Sequence, residues 1–213
     1  MDPKGKYVKL VRDYLEKIPE IIEGSNIFLK KLALRDARYF YHEIDDPNVL
    51  RFLHVSDPQN LSDIKQLIKY FRKSWRKKTG FTYSIFIKAR KFSELYLNNC
   101  KIIENNAFCG SVNLTNIDFA KGTGEVGIWL GSKFWHKGIN YEALKLLIKF
   151  GFDFLSLSKI IALILPGNQR SIKTFENLNF KLEGKKDFDP KLRKNKNTLL
   201  VYSISKKVFE DYV

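Results

Sequence analysis

Only two cysteines, Cys100 and Cys109, occur among the 213 residues. Neither belongs to a Cys-x-x-Cys pair or has histidines at ligand spacing, which excludes a disulfide framework and a zinc site as organising features. No apolar run approaches the roughly 20 residues that cross a bilayer. The first residues are charged and lack the apolar h-region of a secretory signal, so a reduced, cytoplasmic setting is expected. Internal repeats and low-complexity tracts are also lacking. Acidic residues are in deficit, with 23 Asp and Glu against 38 Lys and Arg, a formal net charge of +15. What is present is a globular composition, 44% apolar and 14% aromatic. That is enough for a full core and too apolar for disorder. The length fits one domain with an elaboration.

The positive balance has two readings. It creates a field that attracts polyanions, nucleic acid or a ribosome among them, and slows encounter with polycations. Alternatively the lysines, abundant beside isoleucine and asparagine, only solvate the surface.

Chemistry-bearing pattern concentrates in Gly124–Ala143, GEVGIWLGSKFWHKGINYEA. Ile128, Trp129 and Leu130 place β-branched and aromatic bulk on a short run bounded by glycines, a strand signal. After Gly138 the period becomes helical, with Ala143, Leu146, Leu147, Phe150 and Phe154 three or four apart. A helix entered through a small-residue loop aims unpaired N–H groups and its positive dipole end at whatever precedes it. Lys137 adds a cation there. The stretch is therefore an anion-holding loop, or one of many strand–loop–helix units that bind nothing. Upstream, Gly122, Gly124 and Gly127 spell the Gly-x-Gly-x-x-Gly dinucleotide fingerprint. That motif must follow a strand and open a helix. Here it follows the linker Phe119–Lys121 and runs into a strand, so a turn between antiparallel strands is expected and a Rossmann site is rejected.

Downstream, Lys159–Leu165 (KIIALIL) reads as a short buried strand. Pro166-Gly167-Asn168 ends it, and Asn168 is placed to cap a helix with Ser171 in its first turn. Four motifs now stand in order: Gly127-x-Trp129-Leu130; Trp135-x-Lys137-Gly138-x-x-x-Glu142-Ala143; Asn168-x-x-Ser171; and Leu178-x-Phe180-x-Leu182-Glu183-Gly184. In these motifs, spread from roughly Ile27 to Ser205, the chain resembles the GNAT superfamily of acetyl-CoA-dependent N-acetyltransferases. The resemblance is closest to the ribosomal-protein-alanine N-acetyltransferase branch.

The resemblance implies an α/β (α+β) GNAT fold, a mixed, mostly antiparallel sheet with helices on both faces. It implies acetyl-CoA as co-substrate, no metal, and direct transfer without a covalent acetyl-enzyme. The central strand is expected to splay, so that Ile128, Trp129 and Leu130 meet the pantetheine. The N–H groups of Trp129 and Leu130 would polarise the thioester carbonyl. Trp135, His136, Lys137, Gly138, Ile139 and Asn140 would meet the pyrophosphate, and Asn168 the pantetheine arm. Ser171 would sit near the sulfur and protonate the thiolate. Asn168 and Ser171 can serve as helix caps at the same time. Glu125 is the first choice of general base, its other reading being a solvent-facing strand residue; Asp189 is the second. The sequence departs from the family pattern at four places. His136 and Asn140 stand where small residues are usual and narrow the space for phosphate oxygens. Asn179 replaces a glycine, a substitution that tolerates positive φ. No tyrosine stands near Phe175.

An α-amine titrates near ~8 and is appreciably neutral at physiological pH, whereas a lysine amine near ~10.4 needs more base help. The acceptor implied is a protein N-terminal amine, as on a ribosomal protein, with ribosome association. A small-molecule amine (amino acid, polyamine or antibiotic) is the alternative. A module that binds CoA or nucleic acid without catalysis is the third reading.

Along the chain, Val8, Val11, Leu15, Ile18 and Ile22 predict an amphipathic helix over Tyr7–Glu23, kinked at Pro19 and stopped at Gly24. Residues 1–24 would extend a domain of 25–213, packing on the core or forming a homodimer contact. Strands are expected at Asn26–Leu32, Thr82–Ala89, Ala107–Ile117 and Thr198–Ser205, and helices over Arg35–Glu43 and Leu61–Lys77. Between those helices Asp45, Asp46, His54 and Asp57 either face the acceptor or sit in a solvated loop. The connection Arg90–Asn106 would form a hairpin or short helix, and the basic stretch Lys185–Asn197 would border the acceptor site.

Overall fold

The β-branched and aromatic runs become nine strands among residues 18–53, 58–88, 102–103, 106–187 and 198–212, which the computed structural model describes. They are β1 (Ile21–Glu23), β2 (Ile27–Lys31), β3 (Phe81–Ile87), β4 (Ile102–Ile103), β5 (Asn106–Asp118), β6 (Thr123–Leu130), β7 (Lys159–Ile164), β8 (Lys181–Asp187) and β9 (Thr198–Ser205). The sheet order is β1-β2-β3-β5-β6-β7-β9-β8, with β4 pairing only the start of β5. Every pairing is antiparallel except β6 with β7.

Helices cover both faces, as the fold class requires. On one side lie α1 (Ala37–Ile44), the single turn α2 (Pro47–Leu50) and α3 (Leu61–Lys77). Phe40, Ile44, Ile64 and Ile68 pack there against Phe86 and Phe108. On the other lie α4 (Ile139–Lys149) and α5 (Gln169–Asn177), whose Ala143, Leu147, Ile172 and Phe175 bury against Leu114, Val126 and Ile160. A final turn, α6 (Lys206–Glu210), closes the described chain. The apolar stripe of α4 runs on through Phe150 and Phe154 in a π-helical turn. Among the described residues no helix is long and apolar enough to cross a membrane.

The parallel pairing of β6 and β7 is short. It runs from Thr123↔Lys159 to Glu125↔Ile161 and stops. Beyond it β6 stays on β5 as far as Leu130↔Gly110, while β7 stays on β9 as far as Ile164↔Leu200. The two strands therefore part after Glu125.

Two expectations are corrected. The helix drawn to Glu23 does not reach it, because Ile21–Glu23 is a strand paired with β2. Gly24 is a hairpin residue whose N–H donates to the Ile27 carbonyl (3.0 Å), not a helix stop. The Glu142 carboxylate on α4 accepts from Asn26 N and Nδ2 (2.9 and 3.0 Å) and clasps this hairpin, so a boundary at residue 24 cuts through it. Residues 1–17 lie outside the described residues. The turn expected across Gly122–Gly127 is confined to its first glycine, since Gly124 and Gly127 lie within β6. Of the long connection, Ile102 and Ile103 make hairpin pairs with Ala107 and Asn106.

Gly110 sits where β3 and β5 shift register, with φ +153°. A Cβ there would collide with the Trp129 carbonyl oxygen on β6. Gly110→Ala is expected to cost about 1–3 kcal/mol, a fall in Tm of roughly 2–10 °C by calorimetry. An unchanged Tm would show that β5 and β6 can move apart.

Candidate active site

Two clefts, of about 470 and about 260 Å³, open along the parting of β6 and β7. The larger lies between the end of β6, the loop into α4, and α5. The smaller lies between β6, the end of β7 and the α1 and α3 side. They share Phe52, Leu53, Ile128, Trp129, Asn168 and Ser171, so they meet where the strands diverge.

Antiparallel ladders alternate the direction of their N–H groups. The Gly131 N–H donates to the Cys109 carbonyl on β5 (2.9 Å). Counting back through Trp129↔Ser111, the amides of Trp129 and Gly127 also face β5, and those of Ile128 and Leu130 face the gap. The amide expected to act at Trp129 is thus spent in the sheet. Trp129 reaches the site through its ring, edge-on to Phe40 at 4.7 Å.

The loop after β6 is pinned from the opposite layer. Buried Glu43 on α1 accepts from Lys133 Nζ (2.7 Å) and lies 3.0 Å from His42 Nδ1. It presses so close that a side chain at Gly131 would strike it. Asp46 caps α2 through Asn48 N (2.8 Å), and its carboxyl is held below the usual range chiefly by the Ser132 hydroxyl. Asp45 and Asp46 line neither cleft; Asn48, Val49, Phe52 and Leu53 do. His54 and Asp57 lie outside the described residues.

Farther on, the Trp135 indole donates to the Leu130 carbonyl (3.0 Å). His136 and Gly138 both take left-handed φ, 61° and 74°, and turn the chain into α4. The first amides of α4 therefore lack intrahelical acceptors. A Cβ at Gly138 would meet nothing within 4 Å. Ile139 is buried in the core and offers the site only its backbone. Lys137 and Gly138 flank the larger cleft without lining it. The Asn140 side chain donates to Thr174 Oγ1 (2.8 Å), which itself donates to the Arg170 carbonyl (2.9 Å). Asn140 thus braces α4 against α5.

Asn168 caps α5 as expected, with Ser171 in the first turn. Asn168 Oδ1 accepts from Ser171 N (3.2 Å), and both side chains line both clefts. The Ser171 hydroxyl has no hydrogen-bond partner among the described residues. Glu125, half-buried on the last rung before the strands part, lines the smaller cleft and accepts from Asn116 Nδ2 (2.7 Å). Asp189 falls outside the described residues. The structure adds Arg170, whose guanidinium lies 3.3 Å over the Trp135 ring and whose pKa burial draws down.

Asn168→Ala should cost ~1 kcal/mol in urea unfolding through loss of the cap, and Asn168→Asp should restore it. Equal stability of all three proteins would remove the capping role.

Residues 26–181 match the family described as the acetyltransferase (GNAT) domain. The Bacillus licheniformis "Uncharacterized N-acetyltransferase p20" is 27% identical over 165 residues, covering 78% of this chain and 84% of its own. YdaF of Bacillus subtilis (strain 168), whose name assigns it provisionally to the ribosomal N-acetyltransferases, is 24% identical over 179 residues, 80% of this chain and 98% of its own. The crystal structure of the microcin C7 self-immunity acetyltransferase MccE with acetyl-CoA and AMP matches with TM-score 0.69 at 22% identity, over 85% of this chain and 93% of that one. With a family match over most of its length and the splayed-strand sheet beneath it, the chain belongs to the GNAT family of acetyl-CoA-dependent acetyltransferases.

Proposed function

We propose that the chain acetylates a protein N-terminal α-amine by direct transfer from acetyl-CoA. The observation that carries this reading is the make-up of the smaller cleft. Glu125 is the one ionisable side chain lining it among the described residues; its cross-strand neighbours Asn113 and Thr115 are neutral, and Phe40, Ile44, Leu67 and Phe71 form the apolar part of the wall. A single carboxylate in an otherwise uncharged groove suits one amine on a neutral segment; a polyamine would need several acids. The provisional name of YdaF points the same way.

In this reading the larger cleft receives the cofactor. The amides at the start of α4 and Lys137 meet the pyrophosphate. The gap-facing amides of Ile128 and Leu130 meet the pantetheine and polarise the thioester carbonyl. The amine enters from the smaller cleft and gives a proton to Glu125, directly or through one water, as nitrogen bonds to the carbonyl carbon. The C–S bond then breaks, and the thiolate takes the Ser171 proton, which solvent replaces. Asn168 orients the pantetheine arm.

Gly138→Asp places a carboxylate in open space before α4 and should abolish calorimetric binding of acetyl-CoA, while the left-handed φ of 74° costs it only about 1 kcal/mol, a fall in Tm of a few degrees. Glu125→Gln should lower kcat on N-terminal peptides by about 10–100-fold at pH 7. That deficit should shrink above pH ~8, where the amine is already neutral. Thiol release with spermidine or free amino acids but not with peptides would overturn the acceptor class. Failure of wild type to bind acetyl-CoA would overturn the site.

A further inference from the structure

We propose that the solvent face of α3 is a docking surface for single-stranded RNA. Lys65, Lys69, Arg72, Lys73, Arg76 and Lys77 are all exposed along this helix. The first five fall at i, i+4, i+7, i+8 and i+11, one stripe about 17 Å long at 1.5 Å per residue. The one acid on α3, Asp63, is occupied at its N-terminus by the Gln59 N–H (2.8 Å).

Several lysines elsewhere are matched by acids, as in Lys31–Glu20, Lys88–Glu23, Lys149–Asp153 and Lys159–Glu183, whereas others, Lys181, Lys185 and Lys186 of β8 among them, make no ion pair among the described residues. None of the six cations of α3 makes an ion pair among the described residues. Like charges at i, i+4, such as Lys65/Lys69 and Lys69/Lys73, also weaken the helix that carries them. The helix dipole favours Arg76 and Lys77 in the last turn, but not Lys65 and Lys69 earlier. What sets α3 apart from simple solvation is the gathering of six cations on one helix that carries a single acid.

Tyr70 decides which polyanion fits. It stands 64% exposed at the edge of the stripe, one turn before Lys73, with its ring edge-on to Phe71 at 5.8 Å. An exposed ring beside a row of cations is a platform on which an unstacked base can lie while its phosphates meet the lysines. Single strands with splayed bases are the form in which RNA is read. The inner side of the same helix supplies Leu67 and Phe71 to the smaller cleft. RNA on the outer side would therefore hold an associated protein beside that groove.

The test is fluorescence anisotropy with a labelled 12-nucleotide oligouridine between 50 and 300 mM salt, using the full chain. Wild type should bind with a log–log salt slope of about −2 to −3, three or four phosphates at ~0.7 each. Lys65→Gln/Lys69→Gln/Lys73→Gln should weaken binding at least tenfold and flatten the slope by about 2. Tyr70→Ala should weaken it about 5–100-fold with the slope unchanged. Lys181→Gln/Lys185→Gln/Lys186→Gln, on exposed positions of β8, removes the same charge and should matter less than about twofold. All variants should keep the wild-type Tm. Equal loss in the β8 variant would assign the effect to net charge and overturn the proposal. So would absence of binding at 50 mM salt, or better competition by poly-glutamate together with a silent Tyr70→Ala. None of these readouts involves acetyl transfer.

Discussion

The parting of β6 and β7 after Glu125 governs the rest of the molecule. A break in the middle of a sheet leaves buried amides without partners, at about 1–3 kcal/mol each unless something else bonds them. This sheet tolerates the break because each strand keeps a full ladder on its outer side, β6 with β5 and β7 with β9. The amides of Ile128 and Leu130 are left facing the opening. Each strand is also followed by a helix, α4 after β6 and α5 after β7. Because the strands diverge while running parallel, both helices start at the rim of one opening. Two positive dipole ends and a row of unpaired amides thus converge, which is favourable only for a ligand that is anionic and rich in acceptors.

Holding that arrangement falls to residues of the opposite layer. Glu43 is buried against the loop after β6, where an unpaired carboxylate would be costly, so Lys133 must stay with it. Asp46 and Ser132 add a second tie one turn away. The loop itself needs left-handed backbone at His136 and Gly138, a conformation with little intrinsic preference outside glycine. It persists because both ends are fixed, by α1 at Gly131–Lys133 and by α4 at Ile139.

Local periodicity made much of this legible. The bounds of α3 and β9 match the residue pattern to the residue, since Asn60 caps one and alternation marks the other. Asn168 and Ser171 were readable because a cap is a local device. Where the outcome depended on distant partners, the sequence misled. Ile18 and Ile22 fit a helical period, but pairing with β2 and the Glu142 clasp make Ile21–Glu23 a strand. The choice between the amides of Trp129 and Leu130 is a one-residue matter of ladder phase, fixed by Gly131 and Cys109. Arg170 carried no local signal, because its partner Trp135 lies 35 residues away.

Asn140 shows how a departure from the family pattern can be absorbed. Read alone, its side chain crowds the mouth of α4. In the fold it is turned onto Thr174, which holds the Arg170 carbonyl; Arg170 lies over Trp135, and Trp135 holds the Leu130 carbonyl. Since Leu130, Trp135 and Asn140 belong to one continuous segment, from the end of β6 through the loop into α4, these contacts form a closed circuit beside the larger cleft. A circuit resists change as a unit, because removing one member strands the polar partner of the next. Asn140 therefore stiffens the wall of the cleft with the atoms that would otherwise have filled it.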